Sequence, residues 1–325
     1  MGEITTGILG LAKPNAKSDH QANGVSGYAP GRREVRVRCP RLQIIAAAVL
    51  FSTGGAAIKT AAFSGMQVAS IRSGIAAAVL LLLLRGRIAW SWPTLGIGAL
   101  YAATLTLFVT STKLTTSANA IFLQSTAPLY IVILAPLLLG ERFRSRDLGF
   151  LAAVGTGLAM CFMGRPESTV TAPDPATGNL LGLLCSVTWA FTLIGLRWGE
   201  RHGARTGLSA VVVGNAIAFV VGLPFLASLP SASAGKWITL AYLGVFQIAI
   251  AYLFLTSGVA HVSALDVSLL LLIEPVLNPI WTWLVHGENP DAWTLLGGAI
   301  IITATAARGI YDARASAVVT KGEKT

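Results

Sequence analysis

The chain has 325 residues, of which 54% are hydrophobic and 12% charged, with a formal net charge of +10. A soluble domain carries about a quarter of its residues as charges, so this composition excludes one and calls for lipid as the solvent. The positive charge gathers in Arg32, Arg33, Arg36, Arg38 and Arg41, beside the first apolar segment, which fits membrane topology rather than a nucleic-acid partner.

Residues 1–41 are rich in Gly, Lys, Arg and polar side chains and hold no apolar run of signal-peptide type, so they are expected to form a disordered, basic cytoplasmic tail. A helical span needs roughly 20 mostly apolar residues. Ten segments meet that template, at about residues 42–62, 65–84, 92–112, 117–139, 146–163, 178–198, 207–228, 236–257, 264–285 and 292–310. A loop at 164–177 joins two groups of five, and residues 311–325 form a second cytoplasmic tail. With both termini inside, cytoplasmic segments hold 19 of the 24 Lys and Arg residues, the asymmetry expected of a multi-pass protein of the cell (inner) membrane. Cys39, Cys161 and Cys185 give no disulfide framework.

The fourth and ninth segments carry the same punctuation 147 residues apart: Pro128 with Gly140-Glu141, and Pro275 with Gly287-Glu288. Leu123, Ile133 and Leu137 recur in that register as Leu270, Ile280 and Leu284. A second register, offset by 138, pairs Phe51 with Trp189 and Lys59 with Arg197. Because each half has five spans, an odd number, the second half (178–310) enters the membrane from the face opposite to the first (42–163). The fold expected is therefore all-α and integral to the membrane, with ten transmembrane helices in two inverted five-helix repeats.

The phrases TSANAIFLQSTAPLYIVILAPLLLGE, SVTWAFTLIGLR and LLLLIEPVLNPIWTWLVHGE, in this order and spacing, resemble the EamA-type members of the drug/metabolite transporter superfamily. The resemblance covers nearly everything after residue 41. It implies two inverted five-helix repeats and export of a small metabolite, with amino acids or related compounds as the class it favours.

Pro128 and Pro275 each remove a backbone donor near the middle of a span, and paired Pro-broken helices point to a midplane substrate site; Pro136 and Pro279 add further interruptions. Neighbouring helices absorbing the kinks is the structural alternative. Glu274 lies at bilayer mid-depth, where a charge costs about 2.5 kcal/mol or more, so it must face water, meet a cation or keep its proton. It is read either as a contact for solute or proton or as a neutral carboxyl bonded between helices. Arg72 sits well inside the second span, where it either receives a carboxylate or phosphate or pairs with another helix. Together they would suit a zwitterion. Trp189, Phe51, Gln124, Asn215, Gln247 and Asn278 are second-rank lining candidates, for each of which helix packing or interhelical hydrogen bonding is the leading reading. Lys59 and Lys113 are expected to snorkel to the outer surface. Glu141 and Glu288 are expected to anchor loops through the helix that follows each. Ser263 and Asp266 have capping-box spacing. Gly178/Gly182 and Gly195/Gly199 are read as intramolecular packing.

No P-loop is present, so ATP is not expected to drive the process, and neither a cofactor nor a metal is expected. Neither HExxH nor GxSxG occurs, which leaves an intramembrane enzyme a remote third reading. A secondary transporter of a small-molecule substrate, with protons as a candidate coupling ion and lipid as its surroundings, leads. A channel-like or facilitative permease is the alternative.

Overall fold

The computed structural model describes residues 39–139, 145–163, 168–201, 207–259, 267 and 270–322. The expectations for the N-terminal tail before Cys39, for Gly140-Glu141, for Ser263 and Asp266, and for the Arg197 side chain fall outside what is described. The described residues form helices and no strands.

In chain order these are α1 (Pro40–Ser52), α2 (Gly54–Thr60), α3 (Gly65–Leu83), α4 (Trp92–Leu114), α5 (Ser117–Gln124), α6 (Ala127–Leu139), α7 (Ser145–Met163), α8 (Pro175–Arg201) and α9 (Gly207–Gly222). A 3₁₀ turn (Leu223–Ser228) leads to α10 (Ala234–Tyr242), a π-helical stretch (Leu243–Ile250), α11 (Ala251–Val259), α12 (Ile273–His286) and α13 (Ala292–Gly322). Among the described residues, eight segments are long and apolar enough to cross a membrane: Pro40–Thr60, Gly65–Leu83, Trp92–Leu114, Ser117–Leu134, Pro175–Leu196, Gly207–Ser228, Ala234–Gly258 and Ala292–Tyr311. The chain is thus an all-helical, multi-pass membrane protein. Asp147–Met163 is apolar but shorter, and α12 has 14 residues.

Helix starts follow from local chemistry. Ser64 accepts from the Gln67 amide while Gln67 returns a bond to the Ser64 amide, a complete capping box. Ser91 and Thr116 cap α4 and α5 through their hydroxyls. Exposed Asp174 does the same for α8, accepting from Thr177, and that bond holds its carboxyl below the usual carboxylate range.

The fourth apolar segment breaks at Ser125-Thr126, just ahead of Pro128. Proline has no N–H, so the carbonyl of Gln124 loses its helical donor. Thr126 donates its hydroxyl to the neighbouring Leu123 carbonyl at 2.6 Å. By contrast, α6 runs through Pro136 and α12 through Pro279, so these two prolines interrupt neither helix.

The two ends of the chain interleave. Helix α4 lies along α8 and α9, α3 against α9 and the π-helical stretch, α1 against α11 and α12, and α13 along α7. Small residues permit the closest approaches. A Cβ on Gly178 would lie 2.6 Å from the Thr115 amide nitrogen, and one on Gly214 would lie 2.7 Å from the Gly98 carbonyl oxygen. Gly178 and Gly182 both face residues of this same chain. Outside, Leu82, Leu137, Ile238 and Val285 are exposed, and exposed Trp90 and Trp92 sit at one end of the bundle with Trp237 and Trp293 at the other. This is the apolar girdle and double aromatic belt of a lipid-solvated surface.

Candidate functional site

A cavity of about 320 Å³ runs between the helices. Its walls come from α1, α3, α4, α5, α6, α8, α9, the π-helical stretch, α11, α12 and α13, so both halves of the sequence line it. Repeat-equivalent positions meet there. Phe51 and Trp189 line it, and so do Gln124 and Leu271, Ala127 and Glu274, and Pro128 and Pro275. Gln124 and Leu271 stand four residues before the two prolines, so in both copies the position whose carbonyl a proline cannot serve belongs to the cavity lining.

Arg72, 1% exposed, enters this wall from α3. Its Nη1 donates to the Gln247 side-chain oxygen at 3.1 Å. Its Nε is buried without a hydrogen-bond partner. Among the described residues it has no carboxylate partner, although a buried charge is ordinarily paired. Gln247 belongs to the π-helical stretch and packs over Gly54, where a Cβ would lie 2.9 Å from its Nε2.

Glu274 is half-buried at the start of α12 and faces the same cavity. It forms no hydrogen bond or ion pair with the described residues and does not pair with Arg72. Tyr252 stands within electrostatic reach of both charges. Around it runs a series of ring contacts: Phe51 to Tyr252 at 5.2 Å and 73°, Tyr252 to Tyr101 at 5.8 Å and 83°, and Tyr101 to Trp189 at 6.2 Å. The wall is therefore aromatic and apolar, with one cation and one carboxyl in its lining, the usual make-up of a small-molecule pocket.

The sequence candidates divide. Arg72, Glu274, Trp189, Gln124, Phe51, Gln247, Pro128 and Pro275 line the cavity. Asn215 and Asn278 do not. Asn215 is fully buried on α9 and donates to the Val211 carbonyl at 2.8 Å. Asn278 accepts from the Ser117 hydroxyl at 2.8 Å and serves helix packing. Tyr101 and Tyr252 do not stand out from sequence. Aromatic residues inside apolar spans give no periodic signal, and the one available cue is a phenol hydroxyl placed where it needs a partner.

Lys59 and Lys113 do not snorkel outwards. Lys59 forms a buried ion pair with Glu288 at 2.8 Å, and Lys113 donates to the Ala61 carbonyl. Glu288 accepts from the Ser117 amide at the start of α5, rather than from the helix that follows it. A separate apolar groove of about 400 Å³, lined by Thr53, Ala56, Thr60, Ile238, Tyr242 and Val285 among others, holds none of the candidate residues. No group of His, Cys, Asp and Glu among the described residues could hold a metal ion.

The EamA-like transporter family model matches residues 41–163 and 176–307. The pseudopaline exporter CntI of Pseudomonas aeruginosa is 30% identical over 190 residues, which is 58% of this chain and 64% of the exporter. The uncharacterized transporter YdfC of Bacillus subtilis is 27% identical over 193 residues, 58% of this chain and 61% of that one. The match thus spans less than two thirds of these relatives' length. A solved crystal structure superposes with a TM-score of 0.57 at 24% identity, covering 85% of this chain and 98% of that one, a likeness of fold. The chain belongs to the EamA-like transporter family.

Proposed function

We propose that this chain is a secondary transporter that exports a small zwitterionic metabolite, an amino acid or a related compound, by alternating access. In this reading the eight long segments, α7 and the segment ending in α12 make ten spans. They form two inverted five-helix repeats at 42–163 and 178–310, in the cell membrane with both termini cytoplasmic. The observation that carries it is that Arg72 and Glu274, one from each half of the chain, open onto one cavity without pairing with each other. A buried arginine left without a carboxylate is suited to receive one from a ligand. A mid-depth carboxyl facing the same space suits an amine, or a proton exchanged for it. The pseudopaline exporter supports the direction of transport.

The test is counterflow in proteoliposomes with a pool of labelled amino acids and small organic anions, with and without a pH gradient. Saturable counterflow accelerated by a proton gradient supports coupled exchange. Flux without counterflow points to a channel-like pathway instead, and counterflow indifferent to the pH gradient to a facilitative permease.

A further inference from the structure

The cavity is not symmetric in depth. Its lining extends to Leu196, Gly207, Thr256 and Thr305 at one end of the bundle. At the other end, where α2, α4 and α12 finish and α5 begins, the first or last turn of each of these helices contributes nothing to it.

That closed end has a hub, the last turn of α2. Lys59 Nζ forms the ion pair with Glu288 and also donates to the carbonyls of Thr115, at 2.8 Å, and Thr171. Glu288 turns its other oxygen to the Ser117 amide, at a helix N-terminus where a carboxylate is favoured. Both side chains are under 5% exposed. Gly287, at φ +65, is the left-handed cap that ends α12 and turns the chain just before Glu288. Around the pair, Lys236 donates to the Thr60 carbonyl at 2.7 Å, Lys113 to the Ala61 carbonyl, and His286 Nε2 lies 3.0 Å from the Ala56 carbonyl. One short helix is thereby tied to α4, α5, α10 and α12, elements from both halves.

We propose that Lys59 and Glu288 are functional residues of the transport cycle although they lie outside the cavity: they are the pair that holds this end shut, and their separation admits solute to it. The inference rests on the alternating-access reading. A buried pair suits a two-state closure because separation in place leaves two unpaired charges, whereas separation with entry of water solvates both. Intermediate openings are therefore disfavoured, and the end is either sealed or wet.

The experiment uses the full chain with Cys39, Cys161 and Cys185 replaced by Ser and a reporter at Ala118→Cys, a fully buried position in the first turn of α5. Labelling by a membrane-impermeant maleimide is followed from each face in turn. Slow labelling is expected with the pair intact, and labelling faster by roughly a hundredfold, from one face alone, in Glu288→Gln or Lys59→Met. Reversing the pair is not expected to restore slow labelling, because carbonyls surround one partner and an amide the other. Unchanged labelling in folded single variants overturns the proposal. If those variants do not fold, Lys59→Cys/Glu288→Cys joined by a short bis-maleimide decides. Counterflow of the labelled amino-acid pool should stop on cross-linking, and full cross-linking with undiminished counterflow overturns the gate. The labelling needs no substrate, so failure to find a transported solute counts against the substrate reading alone and leaves the gate to be decided by its own labelling rates.

Discussion

Arg72 and Gln247 meet on the cavity wall with the guanidinium donating to the amide oxygen at 3.1 Å, which fixes the orientation of the charge without neutralising it. A carboxylate in Gln247's place would cancel the charge, and an apolar residue would leave it free to swing. The pairing keeps a full positive charge available beside aromatic faces.

Arg72→Lys is expected to keep the charge but lose the planar fork and the bond to Gln247. Affinity for a carboxylate-bearing substrate should fall by roughly tenfold to a hundredfold, in line with the worth of a charge-assisted hydrogen bond. Arg72→Met should fall further. Equilibrium binding to protein in detergent measures both, and unchanged affinity in Arg72→Met removes Arg72 from the substrate site.

Gln247→Glu provides the more selective test. It places a carboxylate 3.1 Å from Arg72, so it should abolish anion affinity as fully as Arg72→Met while increasing thermal stability. Gln247→Leu should weaken binding less. A Gln247→Glu protein that binds as well as the parent would show that Arg72's charge is not what the ligand meets.

Glu274→Gln removes the exchangeable proton from the cavity wall. Initial transport rates compared from mildly acidic to mildly alkaline pH should lose their pH dependence, while membrane insertion and folding stay normal. A parallel pH profile in both proteins takes Glu274 out of coupling.

Gly55→Ala should destabilise the fold by about 1–3 kcal/mol, the usual cost of overpacking, because its Cβ would overlap the Ser117 hydroxyl and Asn278. Gly149→Ala, where a Cβ meets nothing within 4 Å, should instead be neutral or stabilise α7 by up to about 1 kcal/mol. Thermal unfolding in detergent distinguishes the two.

Much of the architecture is written in the apolar lengths. Spans such as Gly65–Leu83 and Trp92–Leu114 are set by bilayer thickness, which hydropathy reports directly. The break near Pro128 is legible because proline acts through its own backbone, although the helix gives way at Ser125-Thr126, upstream of the ring. Pro136 and Pro279 carry the same residue type and break nothing, since tertiary packing decides whether a kink opens. Arg72 and Glu274 stand out because charge at that depth is rare. Asn215 and Asn278 look equivalent to Gln124 from sequence, and helix rotation, which no single-span pattern encodes when the span is apolar all round, sends them into packing contacts. Lys59 is hard to read for a related reason. Its partner lies far along the chain, and neither residue's neighbours hint at the other.

The π-helical stretch Leu243–Ile250 has a further consequence. Wide turns hold more residues than α-turns do, so the chain stores surplus length there. Deleting one residue within the stretch would let it tighten towards an α-helix while Trp237 on one side and Tyr252 on the other keep their facing. Only the residues inside would be re-aimed, and Gln247 is the one among them that grips Arg72. A single-residue deletion, normally ruinous in a membrane span, becomes here a way to loosen one side chain and leave the rest of the helix where it stands.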